Sequence, residues 1–162
     1  MFVSHHQSQP AISSHYHSKP VTAYLRKLSD TLQHPDGSDP QQVQTAVNVC
    51  AWQLRQFAAR QWDAYYPFLS DYDPVLANRL EDRTLKFAAA LERLECTAHS
   101  ATLKQSRSCI PAPTVKQLWR VFNRDYRAFL AEQAATLLPV LGRHGISPVA
   151  GTPNQLGSIL LL

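Results

Sequence analysis

Two matching stretches decide the fold of this chain: FAARQWDAYYPFL at residues 57–69 and FLAEQAATLLPVL at residues 129–141. Both begin with the frame F-x-A-x-Q and carry a proline six residues after the glutamine, followed by x-L. Their apolar residues recur at spacings of three and four, which is typical of a helix that buries one face. The repeat therefore predicts two equivalent helices and suggests a duplicated helical hairpin.

Glycine and proline extend this pattern to four helices. No glycine occurs at residues 38–141, and four prolines, at positions 20, 40, 74 and 113, each stand beside a capping residue and before an apolar-periodic run. A proline in the first turn of a helix costs no hydrogen bond, because the N–H there has no partner within the helix. We predict helices over residues 20–34, 40–68, 74–104 and 114–143.

These four helices predict an all-α fold, an up-down-up-down antiparallel four-helix bundle over residues 19–145. Two flanking segments lack the helical period. Residues 1–18, rich in His and Ser, are predicted to be a disordered tail, and residues 146–162 a flexible C-terminal tail that contains the apolar run Ile159–Leu162.

Composition excludes several classes of function. A chain of 162 residues that is 44% apolar and 17% charged suits one folded domain. No apolar run reaches the roughly 18–20 residues that span a bilayer, and the net charge of +4 is spread along the chain. Residues 1–18 lack the basic segment of a secretory signal, and the three cysteines have no metal-like spacing. We expect a cytoplasmic protein that binds neither nucleic acid nor membrane.

Over about residues 20–143 the chain resembles the bacterial hemerythrin-like (HHE cation-binding) domains. The resemblance rests on YYPFL at residues 65–69, AEQAATLLP at residues 131–139 and LEDRT at residues 80–84. In that family the second and fourth helices each carry a His-x-x-x-Glu pair before a Leu-Phe-Pro or Leu-Leu-Pro stretch, and the first and third helices each supply one histidine. The resemblance implies a hemerythrin-like bundle with a chamber where relatives hold their metal.

This chain departs from the family at every ligand position. Laid on the family pattern, the six positions are occupied by Thr22, Phe57, Gln61, Thr84, Phe129 and Gln133. Threonine and glutamine oxygens are weak neutral ligands and phenylalanine offers none, so these residues would not hold an iron pair. We therefore expect no metal and no cofactor.

The same six residues allow two interpretations. Phe57 and Gln61 lie four residues apart, as do Phe129 and Gln133, so each pair shares a helix face. In the first interpretation, the glutamines bond to each other, to the two threonines or to water in a structural polar layer. In the second, the vacated chamber is a substrate pocket for a small, largely apolar organic ligand, with aromatic walls and orienting amides.

A catalytic version of this pocket needs a group that transfers protons. The candidates near the six positions are Tyr65, Glu81 and Asp125. A carboxylate on a buried helix face loses solvation, which would raise the pKa of Asp125 toward the useful range. The alternative places Asp125 at the edge of that face, in a surface pair with an arginine.

Three functional hypotheses follow. The leading one is a metal-free bundle that binds a small apolar molecule, with a cofactor-independent cyclase, isomerase or lyase as its class of activity. The second is a non-catalytic interaction or regulatory protein with a filled core, and the third an iron- or oxygen-binding protein. In the second, Trp52, Trp62, Trp119 or the apolar run Ile159–Leu162 would engage a protein partner. A ligand-sized cavity between the helices favours the first hypothesis, and a closed core favours the second.

Overall fold

The computed structural model describes residues 19–34, 39–103 and 113–154, and within these ranges the protein is all-α without strands. The helices are α1 (Val21–Gln33), α2 (Pro40–Tyr72), α3 (Pro74–Thr102) and α4 (Val115–Glu132), with a π-helical turn (Gln133–Leu137) and the short helix α5 (Leu138–Arg143) continuing α4. The predicted all-α class with four helices is confirmed. The predicted tail at residues 1–18 and the apolar run Ile159–Leu162 lie outside the described residues.

Side-chain caps set where three of the helices begin. Asp39 caps α2, and Thr114 forms a capping box at the start of α4. Asp73 serves two helices: its backbone N–H donates to the Leu69 carbonyl at the end of α2, and its carboxylate accepts from the Leu76 N–H at the start of α3. One residue therefore joins α2 to α3, and these two helices pack against each other. None of the described helices has both the length and the apolar composition that crossing a membrane requires.

The two repeated prolines affect their helices differently. α2 continues through Pro67 and ends at Tyr72, beyond the predicted end at residue 68. Before Pro139 the chain makes the π turn, in which the Leu138 N–H donates to the Gln133 carbonyl. Proline has no N–H and its ring crowds the carbonyl four residues earlier, so the wider turn relieves that crowding. The π turn inserts one extra residue into the buried face of this helix.

The buried face of the fourth helix differs from the predicted one at four positions. The spacing of three and four predicts a face through Leu118, Phe122, Asp125, Phe129, Gln133, Thr136 and Val140. Phe122, Phe129 and Gln133 are buried as predicted, but the other buried positions are Trp119, Tyr126, Leu137 and Leu141. Each difference of one position corresponds to a rotation of about 100°. After residue 133 the π turn causes the shift. Before it, the rings of Trp119 and Tyr126 stack on Phe122, with centroid distances of 5.6 and 5.4 Å, and so occupy the core side.

Residues 146–154, which were predicted to belong to a flexible tail, contact the bundle. The Gly151 carbonyl accepts a hydrogen bond of 2.9 Å from the Val21 N–H at the start of α1. The Tyr65 hydroxyl on α2 accepts a hydrogen bond of 2.9 Å from the Val149 N–H. The chain therefore stays attached to the bundle beyond residue 145, because residues 149–151 satisfy backbone and side-chain groups of two helices.

Gly151 lies directly against the core. Its φ is 95°, a value that residues with a Cβ rarely adopt. A Cβ at this position would lie 3.3 Å from the Phe57 ring, and the neighbouring Ala150 carbonyl accepts a hydrogen bond from Arg60 at 3.2 Å. The segment thus packs on Phe57 at close range only because residue 151 is glycine.

Cys50 gives the core a measurable pH dependence. The residue is 3% exposed, and burial raises its pKa from 9.0 to about 12. The unfolded chain therefore ionises this thiol at a lower pH than the folded protein does, so the stabilisation is complete below pH 9.0 and is lost as the pH rises toward 12. Above pH 9.0 we expect the free energy of unfolding to fall less steeply with pH in Cys50→Ala than in the wild type. The two slopes should differ by up to about 1.4 kcal/mol per pH unit.

Urea unfolding on either side of that ordinary pKa measures this slope, and Cys96→Ala is the matched control. Cys96 is exposed, so its replacement is expected to leave the wild-type slope unchanged. Equal slopes for the wild type and Cys50→Ala would contradict the prediction, whatever cost the small cavity adds at every pH.

Candidate functional site

Gln61 and Gln133 meet in the core. Gln61 lies on α2, and Gln133 is the first residue of the π turn. Nε2 of Gln61 donates to Oε1 of Gln133 at 2.9 Å, and Nε2 of Gln133 donates to Oε1 of Gln61 at 3.3 Å. The two residues are 3% and 5% exposed, and within the described ranges no buried side-chain nitrogen or oxygen lacks a partner. The pair forms the polar layer of the first interpretation.

The other four predicted pocket residues do not complete a chamber around this pair. Phe57 is fully buried beneath Gly151, and Thr22 is buried at the start of α1. The Thr84 hydroxyl donates to the Leu80 carbonyl of its own helix at 2.7 Å. Four of the six predicted pocket residues line two separate cavities. Gln61, Thr84 and Phe129 line one, and Phe129 and Gln133 line the other.

The donors at these positions do not fit an iron pair. The oxygens of Gln61 and Gln133 each accept a hydrogen bond from the other amide, and neutral amide and hydroxyl oxygens are weak ligands for iron. No group of three or more His, Cys, Asp and Glu side chains that could hold a metal ion occurs in residues 19–34, 39–103 and 113–154. An iron- or oxygen-binding role therefore has no suitable ligands at these six positions.

An open groove of about 320 Å³, here called the aromatic groove, lies between α2 and α3. Its floor consists of three rings, those of Phe87, Tyr126 and Phe129. Its walls are largely aliphatic and include Leu54, Ala58, Ala88 and Leu91. The Gln61 amide and the Thr84 side chain add uncharged polar groups to the lining. The predicted pocket thus opens sideways between two helices instead of lying enclosed among four.

The charged residues of the aromatic groove are Arg55 and Asp63, of which Asp63 is exposed. Arg55 donates to both carboxylate oxygens of Glu95, at 2.7 and 2.6 Å, and these hydrogen bonds raise the pKa of Arg55. Glu95 thereby neutralises the guanidinium. The aromatic floor carries no formal charge, so the groove suits a neutral molecule.

Tyr126 is one of the three aromatic residues that line the groove. Its ring packs against Phe87 and Phe129, with centroid distances of 5.0 and 6.0 Å, and the residue is 4% exposed. Burial raises the pKa of Tyr126, so the hydroxyl stays protonated and can donate. A ligand oxygen in the groove could accept this hydrogen bond.

The three predicted proton-transfer residues lie apart from this groove. Asp125 accepts a hydrogen bond of 3.1 Å from its surface neighbour Arg124, which matches the edge position given as the alternative. The Tyr65 hydroxyl is bound to the C-terminal segment through Val149, and burial raises its pKa. Glu81 is half-buried on α3 and is not among the residues that line the aromatic groove. Their predicted catalytic roles therefore gain no support from the geometry.

Tyr126 is not among the site residues that the sequence predicts, because its neighbour Asp125 carries the carboxylate expected to transfer protons. Tyr126 lies four residues after Phe122 and three before Phe129, which is the spacing of one helix face. Asp125 satisfies a similar spacing, so periodicity alone does not separate the two residues. The signal that identifies Tyr126 is the run of rings at positions 119, 122, 126 and 129.

The three tryptophans differ in exposure. Trp52 is 57% exposed, as predicted for a residue that could meet a partner. Trp62 is half-buried and stacks on Tyr66 with a centroid distance of 3.9 Å. Trp119, which the second hypothesis expects at the surface to meet a partner, is buried, and its indole N–H donates to the Ser29 hydroxyl at 3.0 Å. A protein partner remains a prediction.

No protein-family model, curated protein or solved structure matches this chain. The resemblance to hemerythrin-like domains therefore stays a prediction. The aromatic groove and the glutamine pair beside it are the features on which a function can be argued.

Proposed function

We propose that this protein binds a small, neutral, largely apolar organic molecule in the aromatic groove between α2 and α3. The observation that carries the proposal is the apolar volume of about 320 Å³ that the rings of Phe87, Tyr126 and Phe129 line. The three rings are 4–7% exposed, and Gln61 and Thr84 add uncharged polar groups to the lining. Sites for small molecules typically have volumes of roughly 300–1,000 Å³ and combine apolar walls with a few polar groups.

The lining indicates which molecule would fit. Phe87 and Phe129 offer ring faces and edges to a flat apolar body, and Tyr126 offers one hydrogen bond. Gln61 is hydrogen-bonded to Gln133, and these bonds fix the orientation of its side-chain amide. A ring or short hydrocarbon that carries one carbonyl or hydroxyl oxygen matches these groups. The proposed role is binding rather than proton transfer, because burial keeps the Tyr126 hydroxyl protonated.

The architecture is part of the same proposal. We propose an up-down-up-down bundle of hemerythrin-like type that has lost its iron ligands. Consecutive helices contact one another, and α1 also contacts α4, which supports a closed ring of four. The contact between Gln61 and Gln133 supports the alignment, since the resemblance assigns both to one metal chamber.

The test uses 2-naphthol, a neutral aromatic probe with one hydroxyl, and naphthalene, which lacks it. In ¹⁵N–¹H NMR spectra both probes are expected to shift the backbone amides of Ala58 and Leu91, which line the groove. Tyr126→Phe is expected to weaken binding of 2-naphthol about fivefold and to leave binding of naphthalene unchanged, since a neutral hydrogen bond contributes roughly 1 kcal/mol.

Two further variants make the outcome specific. Tyr72→Phe removes the hydroxyl of an exposed tyrosine on α2 and is expected to bind both probes like the wild type. Ala88→Trp fills the groove from its exposed side and is expected to abolish binding of both probes. Absence of shifts at Ala58 and Leu91 with either probe would overturn the proposal, as would equal losses in Tyr126→Phe and Tyr72→Phe.

A further inference from the structure

A second groove, of about 360 Å³, lies on the opposite flank of α3, between α3 and the π turn; it is here called the arginine groove. Leu80 from α3 and Leu137 from the π turn form apolar parts of its lining. Phe129 lines both this groove and the aromatic groove. The arginine groove therefore has the size and the apolar surface of a small-molecule site, but its polar groups differ.

Two arginines and one carboxylate line the arginine groove. Arg79 and Arg83 lie four residues apart on α3, so both guanidinium groups project from the same face of the helix. Arg83 contacts Glu132 at 3.5 Å, with both side chains nearly half exposed, which makes a weak ion pair. Arg79 has no ion-pair partner within the part of the chain that the structure describes. One positive charge is left over at the groove.

Gln133 adds a donor from the floor of this groove. Its amide nitrogen carries two N–H groups and donates one of them to Gln61. The second N–H is not used by that bond, and Gln133 also lines the arginine groove. Gln133 is the first residue of the π turn. At the end of this turn Leu137 lies on the buried side of the helix. Two guanidinium groups and an amide N–H thus adjoin one apolar surface.

We infer that the arginine groove is a second binding site, for a small molecule that carries one carboxylate on a short apolar body. The carboxylate pairs with Arg79 and Arg83, and the apolar body packs on Leu80 and Phe129. A monoanion matches the single excess charge, whereas a dianion would meet the Glu132 carboxylate. The inference does not depend on the proposed function, because the two grooves use different polar residues.

Isothermal titration with 3-phenylpropanoate, its neutral amide 3-phenylpropanamide and inorganic phosphate tests the site. The carboxylate is expected to bind, and the amide and phosphate to bind at least about fivefold more weakly, because each lacks either the charge or the apolar body. Arg79→Gln is expected to weaken binding of 3-phenylpropanoate about fivefold, and Glu132→Gln to strengthen it about threefold by releasing Arg83.

Arg93→Gln is the matched control. Arg93 is an exposed arginine of the same helix that does not line the groove, so the variant loses the same charge and is expected to bind like the wild type. Equal losses in Arg79→Gln and Arg93→Gln would overturn the inference, since they would indicate a general charge effect. Equal binding of acid and amide would also overturn it. Binding of 2-naphthol, the probe of the aromatic groove, should be unchanged in Arg79→Gln. The two probes therefore test the two grooves separately.

Discussion

Replacing Gln61 by leucine is expected to lower the free energy of unfolding by about 2–3 kcal/mol, although leucine is the more hydrophobic residue. The reason is the partner that remains. Gln133 is 5% exposed, so its amide would lose both hydrogen bonds of the pair, and the little solvent that reaches it would replace them only in part. In Gln61→Leu/Gln133→Leu no amide is left unsatisfied, so the double variant is expected to recover most of the loss.

Urea unfolding followed by circular dichroism measures these differences as a double-mutant cycle. Gln56→Leu, at an exposed position of α2, is the control and is expected to change the free energy of unfolding by less than about 0.5 kcal/mol. If the changes in the free energy of unfolding of the two single variants added in the double variant, the two glutamines would not be energetically coupled. Their hydrogen bonds would then not explain the loss.

Phe57→Ala is expected to lower the free energy of unfolding by about 4 kcal/mol, which is the cost of removing a large buried ring and leaving a cavity. Phe57 is 0% exposed and supports two parts of the molecule. It belongs to the core face of α2, and its ring lies beneath Gly151, which accepts the hydrogen bond from Val21. The substitution should therefore loosen the attachment of residues 146–154 as well as the core.

Two measurements distinguish this effect from general destabilisation. Trp52→Ala removes an exposed ring from the same helix and is expected to cost less than about 0.5 kcal/mol. Hydrogen exchange of the Val21 and Val149 amides, which hold the C-terminal segment, is expected to accelerate in Phe57→Ala under conditions where the rest of the helices stay protected. Unchanged exchange at these two amides would mean that Phe57 does not support the segment.

The two grooves place Phe129 in an unusual position. Its ring forms a wall of both, and it packs against Phe87 with a centroid distance of 5.2 Å. The aromatic groove on one side has an uncharged floor, while the arginine groove on the other carries an excess positive charge. The proposed ligands of the two sites therefore differ in charge although they would share one side chain as their boundary.

Sequence reasoning located the helices because their limits depend on local chemistry. Asp39, Asp73 and Thr114 act as caps wherever they stand before a helix, and the prolines after Asp39 and Asp73 occupy first-turn positions that need no N–H. The match between the two repeats also brought Gln61 and Gln133 to equivalent positions, and the contact between them is consistent with that alignment.

The phase of the fourth helix was the least accurate part of the prediction. A periodic pattern identifies a face to within about one residue, and Asp125 and Tyr126 both satisfy the spacing. The choice between them depends on which side chain packs against Phe87 of another helix. The π turn, set by Pro139, then moved the buried positions from Thr136 to Leu137.

By itself, the sequence determined the helical class and the beginnings of the helices, since both follow from contacts within a few residues along the chain. Only the tertiary structure decided that the glutamines satisfy each other, that residues 146–154 attach to α1 and α2, and that open volume lies beside α3. The physical reason is that a groove is volume left unfilled by side chains from several helices. The residue spacing within one helix does not specify how neighbouring helices pack against it.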